Sequence, residues 1–131
     1  MKSILIALFS IVFSFQCLAQ QKLDKLFSET TPEQRAQLLT QKMKEKLALT
    51  EEQTPSIYDV NLKYAKKVES AYRSNGTKMQ RLKNMKAVSN EKDGELKKLF
   101  TDDQYKNYLK YKEELKDAIK EKIEEKKAQG S

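Results

Sequence analysis

Apolar residues recur at steps of three and four along most of this chain, and nowhere do they alternate with polar ones. Leu39, Met43 and Leu47 form an i, i+4, i+8 stripe with Leu38 beside it, the signature of one helix face. Ile57, Val60, Tyr64, Val68 and Ala71 repeat the pattern, widened by Tyr58, Leu62, Ala65 and Tyr72. This is the most regular amphipathic segment. Met79, Leu82 and Met85 open a third helical segment, and Tyr108, Leu115, Ile119 and Ile123 line a fourth. With no strand pattern competing, the fold class is all-α.

Four Thr-x-x-Gln pairs punctuate these segments: Thr31/Gln34, Thr50/Gln53, Thr77/Gln80 and Thr101/Gln104. Composition alone predicts only about half a match to this capping-box pattern. In such a box the threonine hydroxyl accepts from the third helical N–H, and the glutamine reaches back to the threonine's own N–H. Four boxes predict helix starts near Pro32, Glu51, Lys78 and Asp102. The first helix should run to about Leu47, and Ser74-Asn75-Gly76 ends the second with turn chemistry. Pro55 complicates that second helix, because proline lacks an N–H needed after the first turn; Thr54 is the alternative start. The third helix should reach about Leu99, with a weak middle at Ser89-Asn90 and Gly94 where it could bend. The fourth should reach about Lys127, its start reinforced by Phe100 and Tyr105 as a hydrophobic staple.

The N-terminal pattern differs. Met1-Lys2-Ser3 is a short positive region, residues 4–15 are apolar except for Ser10 and Ser14, and Cys17-Leu18-Ala19 sets small residues before Gln20. That predicts a signal peptide over residues 1–19, cleaved on export to the periplasm. Cys17 is not in a lipobox context, since Gln16 precedes it and Ser14 stands where leucine is wanted. Residues 20–30 carry Leu23, Leu26 and Phe27 but no cap, and predict a mobile lead-in or a short extra turn. Residues 31–128 then form a single four-helix domain.

Composition narrows the chemistry. The only cysteine lies in the predicted signal, and the chain has neither histidine nor tryptophan. No thiolate or imidazole is left to hold a metal. Three glycines, none clustered, make no phosphate loop. No serine sits in a nucleophile turn, and the carboxylates form regular rows rather than a buried pair. The expectation is a protein without catalytic residues, cofactor or metal. The formal net charge is +7, or one less without Lys2. Such charge suits nucleic acid, but export argues against that partner and in favour of acidic polypeptides or contact with an anionic membrane surface.

Two boxes extend further. Leu49-Thr50-Glu51-Glu52-Gln53 reads L-T-x-x-Q, and Phe100-Thr101-Asp102-Asp103-Gln104 reads the same with phenylalanine first; YDVNLKY and YKNYLKY follow them. In a basic, helical, exported chain this pair resembles the Spy/CpxP family of periplasmic stress proteins. The resemblance implies an elongated four-helix subunit whose hairpins overlap in an antiparallel homodimeric cradle. It implies ATP-independent holding of unfolded or partly folded envelope proteins, or restraint of an envelope sensor kinase. Metal-binding relatives use histidines, which this chain lacks. The matching positions Leu49, Thr50, Gln53, Phe100, Thr101 and Gln104 carry over as structural capping positions. A Skp-like trimeric chaperone is the third reading, against which the Asn75-Gly76 break and the evenly spaced caps count.

The third helix holds the candidate client-binding residues. It carries seven basic and three acidic residues, and its first ten contain no acid. At 100° per residue Lys78, Met79, Arg81, Leu82, Met85 and Lys86 share one side. Adaptable methionine beside long-stemmed cations suits sequence-tolerant capture; the alternative is that the apolar members are core and the cations flank it. In the last helix, Glu113, Asp117, Glu121 and Glu125 run beside Lys112, Lys116 and Lys120 as a solvated face or a charge-matched contact with a second copy.

Overall fold

The structure, a computed structural model, describes residues 19–130, and their side chains from Asp24 onward except at 119, 122, 123, 126 and 127. The expected signal peptide, Cys17 included, lies outside the described residues but for Ala19, as do the side chains of Leu23, Ile119 and Ile123. The described chain is all-helical: α1 (Ala19–Glu29), α2 (Pro32–Leu47), α3 (Thr54–Arg73), α4 (Lys78–Leu99) and α5 (Asp102–Gln129). Five helices replace the four expected. The segment expected as a lead-in is α1, which earns its place by burial rather than by capping: Leu26 and Phe27 are 1% and 4% exposed.

All four boxes close. Thr31, Thr50, Thr77 and Thr101 each accept from the N–H of their glutamine at 3.1, 3.1, 3.1 and 3.2 Å. Each glutamine Oε1 accepts in return from the threonine N–H at 2.9 to 3.0 Å. Three boxes sit directly at helix starts. The box at Thr50 instead organises a turn, and α3 begins at Thr54 rather than near Glu51. Pro55 is the reason, since it has no N–H to continue a helix begun at Thr50. Helix α4 runs unbroken through Ser89, Asn90 and Gly94, because burial of Met85, Lys92 and Leu96 on one side holds it straight.

α3 is the central helix, with α2 and α4 packed against it, while α5 packs against α2. Pairing of Lys63 with Glu95 and Lys67 with Glu91 shows that α3 and α4 run antiparallel. α5 reaches α4 at Asp93, whose carboxylate accepts from the Tyr108 hydroxyl and the Lys112 ammonium, both at 2.6 Å. One core spans these helices: Leu39, Met43, Ile57, Ala65, Val68, Met85, Leu96 and Tyr108 line it, with Leu26 and Phe27 at the α1 end.

Leu49 and Phe100, the first residues of the two extended motifs, are both buried in that core. A buried polar pair lies between α2 and α3, where the Asn61 amide donates to the Thr40 hydroxyl at 2.9 Å. At the α1 end, the buried Arg35 guanidinium pairs with Glu69, donates to the Thr30 carbonyl at 2.7 Å and lies 4.9 Å over the Phe27 ring. Phe27 also packs 4.9 Å from Tyr72, whose hydroxyl donates to Asp24. One arginine and two aromatic rings thus fasten α1 to α2 and α3.

Candidate binding surface

The six residues expected to bind clients do not share a surface. Their common side of α4 is the one that faces the core. Met85, at its centre, is completely buried, and Arg81 and Leu82 are half-buried. Lys78, Met79 and Lys86 remain exposed. The physical reason lies further along the helix: Leu96 and Lys92 extend the same stripe inward, so burial of the whole row outweighs the exposure its cations suggested.

The solvent side of α4 is a different set. Met79, Lys83, Lys86 and Lys97 fall within about 60° of one another and span about 27 Å of helix axis. Lys78 and Lys98 stand at the two ends, and all of these side chains are exposed. Met79 is 65% exposed, the more open of two exposed large apolar side chains among the described residues, the other being Leu109. What makes this side distinctive is the fate of the acids. Glu91 is taken by Lys67, Glu95 by Lys63 and Asp93 by Lys112. Lys78, Lys83, Lys86 and Lys98 reach no carboxylate among the described residues, and Lys97 lies over the Tyr105 ring at 5.4 Å. The helix therefore spends its negative charges on lysines of α3 and α5 and leaves Lys78, Lys83, Lys86 and Lys98 in water.

These pairings also set local acidities. Hydrogen bonds from Lys63 and Tyr64 hold the Glu95 carboxyl below its ordinary range. Burial pushes the Tyr64 hydroxyl up to about 12, with Glu95 adding to the shift. Lys92 is buried on α4, and loss of hydration lowers its ammonium to about 8 although Asp93 opposes the shift. Burial together with Asp93 drives the Tyr108 hydroxyl well above the usual phenol range.

Elsewhere, an open groove of roughly 700 Å³ runs between α2 and α3, lined by Gln37, Thr40, Gln41, Lys44, Thr54, Pro55 and Tyr58. Among the described residues no cluster of histidine, cysteine or carboxylates could hold a metal ion. No described helix is long and apolar enough to cross a membrane.

The two extended motifs also do more than cap. Gln53 Nε2 donates to Gln104 Oε1 at 2.8 Å, and Gln104 Nε2 donates to Gln53 Oε1 at 2.9 Å. Each amide also donates to the carbonyl just before the other motif, Gln53 to Leu99 at 3.1 Å and Gln104 to Ala48 at 3.5 Å. The matched spacing of these motifs was legible in the sequence, but their meeting was not. A signal did exist for the neutralised acids of α4. Glu91 and Glu95 are four residues apart, as are Lys63 and Lys67, the spacing an antiparallel pair of helices needs to form two parallel rungs.

Fold and surface together define a small helical protein with a capped, cross-bonded core and, on α4, a basic face whose exposed lysines form no ion pair among the described residues. The chain belongs to a family described as Domain of unknown function (DUF4890), whose pattern matches residues 19–108. No curated protein and no solved structure matches it.

Proposed function

We propose that this protein is an exported, ATP-independent binding protein of the Spy/CpxP type, holding unfolded or partly folded envelope proteins in the periplasm as an antiparallel homodimer. The observation that carries the reading is the solvent side of α4, where Lys78, Lys83, Lys86, Lys97 and Lys98 stand, among the described residues, without acidic partners beside exposed Met79. Uncompensated lysines attract acidic chains over a distance set by the Debye length, about 10 Å at moderate salt. Lysine is a hydrated point charge on a flexible stem, so it suits contacts that need no fixed geometry. The methionine offers an adaptable apolar contact once a client has arrived. Binding of this kind is weak at each contact and leaves the client free to fold.

Support also comes from the motifs. The paired L-T-x-x-Q segments suit a chain whose two helical turns are held together, and a rigid frame limits the ordering cost of presenting a surface. The test is light scattering from an unfolding, acidic client protein at low salt without nucleotide. Suppression of aggregation at near-stoichiometric amounts, weakened by added salt and by Lys83→Glu with Lys97→Glu, is the expected result. Absence of suppression at low salt overturns the reading.

A further inference from the structure

The turn between α3 and α4 holds an exposed asparagine, Asn75, followed directly by glycine. The chain has five asparagines, Asn61, Asn75, Asn84, Asn90 and Asn107. Four lie inside helices, Asn61 in α3, Asn84 and Asn90 in α4 and Asn107 in α5. There the N–H of the following residue is engaged in the helical ladder, and that residue carries a side chain in every case: Leu62, Met85, Glu91 and Tyr108. Asn75 alone lies outside a helix, is exposed and is followed by glycine.

Gly76 supplies the second half of the geometry. Its φ is +133°, a conformation open to glycine and not to other residues. Among the described residues its backbone N–H has no hydrogen-bond partner, whereas the next N–H, of Thr77, is held by Gln80 at 3.0 Å. No Cβ at position 76 shields the nitrogen, and nothing in the ladder restrains it.

We infer that Asn75-Gly76 is a site of spontaneous modification, at which the side-chain amide of Asn75 is lost by intramolecular attack. The Gly76 amide nitrogen gives up its proton and bonds to Asn75 Cγ. The Cγ–nitrogen bond of the side chain breaks and the amide leaves as ammonia, closing a five-membered succinimide. Water then opens the ring at one carbonyl or the other. Opening on one side leaves aspartate; opening on the other leaves isoaspartate, in which the main chain runs through the former side chain. Water is the only co-reactant, and no oxidant or reductant takes part.

The two products affect α4 differently. Aspartate at position 75 places a carboxylate two residues before the cap Thr77, near the positive end of the α4 dipole, where negative charge is tolerated. Isoaspartate lengthens the main chain by one carbon directly before the Thr77/Gln80 box and opposes its closure. The first turn of α4, with Lys78 and Met79, then frays. Age of the molecule is thus recorded at the start of its basic face, whatever that face binds.

The experiment is incubation of the full folded chain in mildly alkaline buffer, followed by digestion, mass spectrometry and chromatographic separation of the two isomers. Helical asparagines must first unwind to react, so Asn75 is expected to convert at least about tenfold faster than Asn61, Asn84, Asn90 and Asn107. The rate should climb with pH as the Gly76 nitrogen loses its proton, and Asn75→Gln, with its longer side chain, should abolish the reaction at that position. Hydrogen exchange of residues 78–81 should quicken in the isoaspartate fraction and not in Asn75→Asp. Conversion of Asn75 no faster than that of the helical asparagines overturns the inference. Neither result depends on the protein's holding clients, which the light-scattering assay reads separately.

Discussion

Gln53 and Gln104 exchange two hydrogen bonds across 51 residues of sequence, at 2.8 and 2.9 Å, while each still closes its own capping box. A side-chain amide has one acceptor oxygen and two donor hydrogens. Here the oxygen accepts from its own threonine N–H and from the other glutamine, and the nitrogen serves the other glutamine and a carbonyl preceding the other motif. The arrangement has approximate two-fold symmetry, and it ties the α2–α3 turn to the α4–α5 turn.

Removing either glutamine takes one donor and one acceptor partner from the other, and leaves the threonine N–H and the carbonyl it served without that bond. Gln53→Ala and Gln104→Ala should each lower unfolding free energy by about 1–3 kcal/mol. Because the two groups share their bonds, the double variant should cost less than the sum. A coupling of at least about 0.5 kcal/mol in a denaturant double-mutant cycle is expected. Strict additivity would mean the pair contributes nothing as a pair.

Ala48 ends α2 with φ 50°, the left-handed conformation, and its N–H bonds to the Lys44 carbonyl. Glycine adopts this conformation without a Cβ penalty. Ala48→Gly should therefore stabilise the fold by about 0.5–1 kcal/mol, read as a higher denaturation midpoint with unchanged slope. The opposite exchange suits Gly94, which lies inside α4 with open space where a Cβ would stand; Gly94→Ala should add about 0.5–1 kcal/mol.

Met85 and Met79 lie six residues apart on α4 and should behave as different kinds of residue. Met85→Ala creates a cavity under a completely buried side chain and should cost about 2–5 kcal/mol. Met79→Ser should leave the thermal midpoint within error, since most of its side chain is already in water. If Met79→Ser instead unfolds the protein, the division of α4 into core and solvent sides is wrong.

Stability should depend on alkaline pH in two opposed ways. Lys92 is lowered from 10.5 to about 8 by burial, so between those values the unfolded chain binds more protons and stability rises with pH. Tyr64 and Tyr72 are raised from 10.0 to about 12, chiefly by burial, so their contribution is complete below pH 10 and lost as pH climbs towards 12. The thermal midpoint should climb from about pH 8 and turn over near pH 10. Lys92→Met should remove the climb and leave the fall.

The α1 anchor can be tested at one ring. Phe27 contacts Tyr72 and the Arg35 guanidinium and is almost wholly buried. Phe27→Ala should cost about 3–5 kcal/mol if α1 folds with the rest. Hydrogen exchange in residues 19–29 should quicken first, because α1 has no N-terminal box of its own to hold it.

Much of this fold was legible along the chain. The stripes of α2 and α3, the four capping boxes and the all-helical class follow from periodicity and local hydrogen bonding, interactions that span three or four residues. The start of α3 was legible only as two alternatives, because Thr50 and Pro55 argue in opposite directions. The candidate set on α4 was split by the fold: Met85 is buried and Arg81 and Leu82 are half-buried, while Lys78, Met79 and Lys86 are exposed. Met79 and Met85 look alike in sequence, and lysines flank a core stripe as readily as a binding stripe, so helical spacing alone could not orient the helix.

What the sequence by itself determined is the helix starts near Pro32, Lys78 and Asp102 and the apolar faces of α2 and α3, since neighbours along the chain decide both. Tertiary structure alone decided that Gln53 and Gln104 meet, that Leu26 and Phe27 turn an uncapped segment into α1, and that lysines of α3 and α5 consume the acids of α4. Each of these joins residues far apart in sequence. Their energies exist only once the helices are packed, so a local pattern such as the matched spacing of Glu91/Glu95 and Lys63/Lys67 could permit such a contact but not decide it.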